Sequence, residues 1–171
     1  MASKALVDDL PAPLGERTIA AKLKRLVGSG DKIGMLTGPF LVAGVILNIL
    51  FPAWFSIGGP AAVLQALSIV VLIPGVTCWL WSVVLILTYV PQGKLITSGP
   101  YALVKHPLYT GVALLVLPWT GFLLNTWLGV LIGAVLYIGS RLFSPEEEQQ
   151  LSEHFGPAWD EYRKNVRIPW L

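Results

Sequence analysis

The sequence predicts an all-α integral membrane protein with about four transmembrane helices, a cytosolic loop and an amphipathic C-terminal helix. Hydrophobic residues make up 54% of the chain and charged residues only 13%, whereas roughly a quarter of the residues in a soluble domain are charged. No Asp, Glu, Lys or Arg occurs in 33–93 or in 106–140. Such stretches do not form a water-exposed surface, so the solvent around them must be lipid.

Turn-forming residues divide each uncharged stretch into two spans. The first stretch breaks at 56–60 and the second at Asn125. The predicted spans are 35–55, 61–90, 109–124 and 126–143. The second span is longer than the ~20 residues that cross a bilayer, and Pro74 is its expected kink. The last two are short for spanning, so we expect a tight helical hairpin, with a re-entrant hairpin as the alternative.

The basic residues predict the orientation of these spans. All 12 Lys and Arg precede the first span, lie between the second and third, or follow the fourth: Lys4, Arg17, Lys22, Lys24, Arg25, Lys32, Lys94, Lys105, Arg141, Arg163, Lys164 and Arg167. By the positive-inside rule, both termini and the central loop are expected to be cytoplasmic. The N-terminal segment lacks a signal-peptide pattern, and 19–27 predicts an interfacial helix, with a frayed tail as the alternative.

Composition also limits the function. The basic excess is small and no basic patch is interleaved with aromatics, so no nucleic-acid partner is expected. The single Cys78 has no disulfide partner, and the two histidines lack metal-ligand spacing, so no metal site is predicted. No obligate protein partner is inferred. The chain divides into a cytoplasmic N-terminal segment (1–34), a first pair of transmembrane helices (35–90) and a C-terminal half with the central loop, the helical hairpin and the C-terminal helix (91–171).

The central loop, 91–110, holds three polar-tipped rings at the membrane surface. Pro107 favours an extended conformation at His106 and stops any helix before it. Tyr101 and Tyr109 lie on either side of this histidine. From composition alone, these are interfacial residues bonded to backbone carbonyls.

The tail, 141–171, predicts a broken amphipathic helix. Ser144 fits an N-cap, Pro145 the first helical position and Glu147 the third position of a capping box. An apolar stripe follows and is interrupted at Gly156: Leu151, Phe155, Trp159, Tyr162 and Val166. Capping by itself explains the glutamates, so the pattern permits catalysis without requiring it.

Taken together, the two segments resemble the catalytic half of the isoprenylcysteine carboxyl methyltransferase family, one of a wider group of membrane methyltransferases that includes phospholipid N-methyltransferases. The matching elements, in chain order, are Thr97 to Tyr101 (T-S-G-P-Y), His106 to Gly111 (H-P-x-Y-x-G), Glu147 to Leu151 (E-E-x-x-L), Phe155-Gly156, Tyr162, Val166 and Pro169. Trp159 stands where the family usually has Tyr. The resemblance covers about the last eighty residues, and the ordered set is specific where H-P-x-Y alone is not.

The resemblance implies a cytosol-facing S-adenosylmethionine site between the central loop and the tail helix, and a lipophilic acceptor that enters from the bilayer. Gly93, Lys94, Leu95 and Ile96 would supply backbone contacts, Tyr101, His106, Pro107, Leu108 and Tyr109 would line the cofactor, and Glu147 would accept hydrogen bonds from it. A carboxylate and aromatic faces suit a sulfonium cation with hydroxyl and amino groups.

One position departs from the family. The family's arginine for the substrate carboxylate falls at Phe143 by its spacing to Glu147, and Arg141 lies two residues earlier. On a helix these two side chains point about 200° apart. Either the helix adjusts and Arg141 becomes the catalytic arginine beside Glu147, or the acceptor is not a prenylcysteine-type carboxylate.

Other functions compete with this interpretation. A phospholipid, small-thiol or amine methyltransferase would use the same scaffold. Membrane sterol reductases resemble it too, but an NADPH-dependent reductase needs basic residues for the 2′-phosphate, and the central loop offers only Lys94 and Lys105. A non-catalytic membrane protein is the third class, and the uncharged spans argue against ion coupling within the bilayer.

Overall fold

The computed structural model describes residues 30–59 and 61–169. The interfacial helix predicted at 19–27 therefore lies outside the described residues. The helices are α1 (Gly30–Leu50), α2 (Pro52–Phe55), α3 (Ala61–Tyr89), α4 (Pro107–Gly111), α5 (Leu117–Leu123), α6 (Leu128–Phe155) and α7 (Pro157–Asn165). Short 3-10 helices occupy Val90–Gln92 and Gly99–Ala102, and a π-helix occupies Val112–Val116. The described part contains no strand, only an isolated bridge between Ser56 and Thr126.

The all-α membrane fold is confirmed. Three helices of the described part are long and apolar enough to cross a membrane: Gly30–Leu50, Ala62–Gln92 and Leu128–Phe155. A shorter apolar helix, Pro107–Leu123, coincides in sequence with the third of the four predicted spans and is not among these three. Many large apolar side chains on α1 and α3 are exposed, among them Met35, Phe40, Val70 and Ile73. A lipid-facing surface explains this exposure, since lipid and not protein covers these residues.

The third span is a composite because of a proline. Pro118 has no N–H, and its ring would clash with a carbonyl one turn earlier. The chain widens into the π-helix just before it, and the Leu117 N–H bonds to the Val112 carbonyl, five residues back. The span is thus one apolar rod made of α4, the π-helix and α5. Pro74, by contrast, lies inside the uninterrupted α3.

Helix α6 is the centre of the bundle. It packs against α1, α5 and the π-helix, while α3 packs against α4 and α5. Ile33, Ala113 and Leu136 form the buried core between these elements, and Tyr109 and Phe143 pack against it.

Glycines bring α5 and α6 into backbone contact. A Cβ on Gly133 would lie 2.3 Å from the Ala113 carbonyl oxygen, and one on Gly129 would lie 2.3 Å from that of Leu117. Because the obstacle is backbone and not a flexible side chain, the helices would have to separate to admit a methyl group.

We therefore expect Gly133→Ala to destabilise the fold by about 1–3 kcal/mol. Gly34→Ala is the matched control, because a Cβ at Gly34 meets nothing within 4 Å. Thermal unfolding of both variants in detergent measures the difference. Equal melting temperatures would contradict the close packing.

The expected helix start at Ser144 is wrong. The fourth span continues into the tail as one helix, α6. Ser144 is buried inside this helix instead of capping a new one, and Pro145 also lies inside it. Glu147 is therefore not a capping-box residue. The predicted break at Gly156 is confirmed, because Gly156 has φ of 52° and α7 begins after it.

The two ends of the bundle differ in chemistry. At one end, Lys32 pairs with Glu146 and Lys105 pairs with Glu148. At the other end an uncharged cluster joins the two hairpin connections, where the Asn125 amide donates to Ser56 Oγ at 2.9 Å. The basic residues that the structure describes thus lie at one end, which is the end that the positive-inside rule predicts to be cytoplasmic.

The orientation is tested by labelling cysteines in a Cys78→Ala background with a membrane-impermeant maleimide on intact cells. Ile57→Cys and Leu124→Cys replace exposed residues in the uncharged connections, and we expect both to be labelled. Lys94→Cys should be labelled only after permeabilisation, because its loop lies at the basic end. Labelling of Lys94→Cys from outside would reverse the orientation.

Candidate functional site

The central loop folds across the basic end of α3. Gly93 ends the first 3-10 helix in the left-handed region (φ 66°), and its N–H donates to the Val90 carbonyl at 3.0 Å. Gly99 is also left-handed (φ 62°), and a Cβ there would lie 3.0 Å from the Trp81 ring. At Gly99, the left-handed backbone and the close approach of the Trp81 ring both favour a residue without a Cβ. Between the two turns, Ile96 is buried and anchors the loop.

The tail closes over this loop. The Tyr162 hydroxyl donates to the Tyr101 carbonyl at 2.9 Å, and the Ile168 N–H donates to the Leu103 carbonyl at 2.9 Å. Trp159, Tyr162 and Val166 form a buried cluster on which Leu95 packs. The apolar stripe predicted for the tail therefore packs on the central loop and orders it.

His106 lies where the loop enters the bundle. It precedes α4 with φ −124° and ψ 62°, so the helix starts at Pro107 as expected. The His106 side chain is buried, and its ring centroid lies 6.5 Å from that of Tyr109. Its Nε2 lies 3.3 Å from Glu148 Oε1. The histidine is thus bonded to a carboxylate and not to a backbone carbonyl.

Glu148 joins the loop to α6 and was not singled out from the sequence. It bonds to His106 and also pairs with the Lys105 ammonium. It lies beyond the apolar part of α6, and the hydrogen bond from His106, followed by the contact with Lys105, lowers its pKa to about 2 against the opposing effect of burial. Glu147 and Glu148 both belong to the E-E-x-x-L motif. The two differ in the direction in which their side chains point from α6, and the motif does not show that direction.

The lowered pKa of Glu148 makes a prediction about pH. Its pKa falls from 4.5 to about 2, so its stabilising effect is complete above pH 4.5 and is lost as the pH falls towards 2. We expect on the order of 1–2 kcal/mol, discounted because water partly screens the carboxylate. Glu148→Gln should lower the melting temperature at pH 7 and lose less on acidification than the native chain. If the melting temperatures of the two proteins fell equally between pH 4.5 and pH 2, the ion pair would be contradicted.

Glu147 faces a different part of the site. It is half-buried, and its charge adds to burial in raising the pKa of the Tyr101 hydroxyl. Phe143, one turn earlier on the same face of α6, packs beside Tyr109 on the bundle core. Glu147 is therefore directed towards the tyrosines of the central loop.

Two cavities open near this cluster. One of about 530 Å³ lies between the central loop and α7 and is lined by Leu95, Thr97, Tyr162 and Glu161 among others. The other, of about 450 Å³, is lined by Lys105, Arg141, Glu148 and Arg163 among others. The first lies between the loop and the tail, but of the predicted cofactor residues only Leu95 lines it.

Apart from Leu108, the predicted cofactor residues fall into three groups. In the first, Tyr101 lies near Glu147 and Tyr109, and His106, followed by Pro107, lies beside Tyr109. In the second, Leu95 lines the first cavity and Ile96 is buried. In the third, Gly93 and Lys94 are exposed at the start of the loop. Leu108 is half-buried in α4. Their roles towards a cofactor stay predictions.

Arg141 does not lie with Glu147. It is exposed and lines the second cavity, whereas Phe143 points into the bundle core. The structure thus separates the two side chains as the helical geometry requires, and α6 does not adjust to turn Arg141 to the position of Phe143. A catalytic role for Arg141 stays a prediction.

A comparison with protein-family models supplies the family. Residues 60–153 match the model of the isoprenylcysteine carboxyl methyltransferase (ICMT) family. No curated protein and no solved structure matches the chain. The matched range contains the second span, the central loop with His106 and the paired glutamates of α6. On this match, which covers more than half of its length, the chain belongs to the isoprenylcysteine carboxyl methyltransferase family.

Proposed function

We propose that this membrane methyltransferase transfers a methyl group from S-adenosylmethionine to a lipophilic acceptor at the cytoplasmic end of the bundle. The observation that carries the proposal is the cluster of Glu147, Tyr101, His106 and Tyr109 between the central loop and α6. Two phenol rings, one imidazole and one carboxylate lie together there, and the tail packs over the loop that carries three of them.

The donor set fits the cofactor chemically. Bound S-adenosylmethionine supplies an electrophilic methyl group on a sulfonium centre. The Glu147 carboxylate would accept hydrogen bonds from its amino or hydroxyl groups, and the faces of Tyr101 and Tyr109 favour a nearby cation. The Tyr101 hydroxyl is protonated at neutral pH, as any tyrosine is, and is able to donate a hydrogen bond. The backbone of 93–96 would line the opposite side.

The protein then contributes position and exclusion of water. Methyl transfer is an in-line displacement, so the residues need only hold donor and acceptor close and aligned. The tail covers the loop through Tyr162 and Ile168, which keeps bulk water from one side. A lipophilic acceptor would reach the site sideways from the bilayer, since it partitions there. A prenylcysteine-type carboxylate is one such acceptor, and a phospholipid or a small thiol or amine is another.

The test is calorimetric titration of the solubilised protein with S-adenosylhomocysteine and, separately, with NADPH. We expect only the first to bind. Lys105 pairs with Glu148, which leaves Lys94 as the other loop cation for a 2′-phosphate. Binding of NADPH instead would support a reductase, and binding of neither would support a non-catalytic protein. Transfer of a labelled methyl group to a panel of prenylcysteines, amino-lipids and thiols then identifies the acceptor.

A further inference from the structure

The second cavity is basic and is lined by residues of the central loop, α6 and α7, of which Glu147 is not one. Three cations and one carboxylate line it, namely Lys105, Arg141, Arg163 and Glu148. Glu148 already pairs with Lys105. In the part of the chain that the structure describes, neither Arg141 nor Arg163 forms an ion pair. Two guanidinium groups, neither of them paired with a carboxylate of the described residues, therefore border one cavity of about 450 Å³.

The cavity also borders lipid. Arg141 is the first charged residue after the uncharged stretch 106–140. Ile138 and Leu142, beside it on α6, are 57% and 65% exposed. No described residue covers these side chains, and acyl chains suit such an apolar surface, so Arg141 stands at the boundary between hydrocarbon and headgroups. At this depth the Arg141 side chain reaches the headgroup region, where anionic lipids attract a basic residue.

We infer that this cavity binds the phosphate headgroup of an acidic phospholipid, with Arg141 and Arg163 as its ligands. Guanidinium groups suit phosphate because their N–H groups donate in a planar fork. Gln149 and Ser152 add polar lining, although the Gln149 amide donates to Glu153 at 3.0 Å. The acyl chains would lie along Ile138 and Leu142. Arg141 comes from α6 and Arg163 from α7, so one lipid would link the tail to the bundle. The inference does not depend on the methyl donor or on activity.

The experiment is native mass spectrometry of the full chain in detergent, titrated with phosphatidylglycerol or phosphatidylcholine. We expect phosphatidylglycerol to bind at least tenfold more tightly, and Arg163→Gln to weaken it roughly tenfold by removing a charge-assisted hydrogen bond. Lys164→Gln is the matched control: it removes one charge at the next position of α7, and Lys164 does not line the cavity. It should bind phosphatidylglycerol like the native chain.

Three outcomes would overturn the inference. Equal binding of the two lipids by the native chain would exclude an acidic-headgroup site. If Arg163→Gln and Lys164→Gln lost the same affinity for phosphatidylglycerol, the lipid would be attracted by surface charge in general and not by this cavity. Competition by inorganic phosphate or glycerol 3-phosphate at the lipid's own concentration would identify a site for a soluble anion. Melting temperatures in phosphatidylcholine confirm that each variant is folded, and Arg141→Gln provides a second variant should Arg163→Gln not fold.

Discussion

Glu147→Gln should weaken S-adenosylhomocysteine binding by roughly ten- to a hundredfold. The change keeps the size of the side chain and removes its charge, which costs a charge-assisted hydrogen bond of ~1.5–3 kcal/mol. Helix capping no longer offers a competing explanation for Glu147, because α6 runs through this position without a break. Calorimetric titration of the variant measures the affinity.

Glu146→Gln is the control for this change. Glu146 is the preceding residue on α6, is exposed and pairs with Lys32 instead of facing the tyrosines. We expect Glu146→Gln to bind S-adenosylhomocysteine with native affinity. The free energy of unfolding of both variants should lie within about 0.5 kcal/mol of the native value. Unchanged affinity in Glu147→Gln would remove it from the proposed cofactor site and direct attention to Glu148.

His106→Ala should abolish detectable S-adenosylhomocysteine binding. The change removes a buried imidazole, its bond to Glu148 and its ring contact with Tyr109. Three elements lose alignment together, because His106 joins the loop, α4 and α6. Stability should fall by about 1–3 kcal/mol, the cost of leaving the Glu148 carboxylate less well paired. Tyr109→Ala should also abolish binding, since its ring is proposed to line the cofactor.

The chain provides a matched control in its other histidine. His154 is exposed and touches only the edge of the Phe155 ring among the described contacts. His154→Ala should bind S-adenosylhomocysteine like the native protein. Both histidine variants are compared by calorimetry and by size-exclusion chromatography, so that loss of binding is separated from loss of fold. Native affinity in His106→Ala and Tyr109→Ala would place the cofactor elsewhere.

Glu147→Gln and the lipid test concern different residues of α6, whereas His106→Ala also removes a partner of Glu148, which lines the basic cavity. Glu147 and Phe143 turn towards the central loop and the bundle core, while Arg141 and Glu148 line the basic cavity. A variant on one face that affects only its own ligand would support both assignments. The methyltransferase proposal and the lipid inference can therefore fail independently.

Hydropathy, charge placement and motif order were enough to predict the membrane fold, the basic end of the bundle and the family. These features are readable because the bilayer is an anisotropic solvent: each residue's preference for hydrocarbon or water limits its depth, whatever it packs against. The helix stop at His106 and the break at Gly156 were also predictable, since proline and glycine act on the backbone locally.

The tertiary structure decided what three consecutive glutamates do. Glu146 pairs with Lys32, Glu148 bonds to His106 and Lys105, and Glu147 faces Tyr101. Successive residues on a helix point about 100° apart, so each meets a different neighbour, and a sequence motif does not specify the neighbours.

The continuity of α6 through Pro145 was decided in the same way. A proline inside a helix costs ~3 kcal/mol or more, and on local grounds Ser144 and Pro145 predict a new helix start. The segment is instead held in line by contacts on both sides of the proline: Phe143 packs on the bundle core, and the glutamates after it pair with Lys32 and Lys105. These partners are distant in sequence, so their combined stabilisation outweighs a local signal only once the chain has folded.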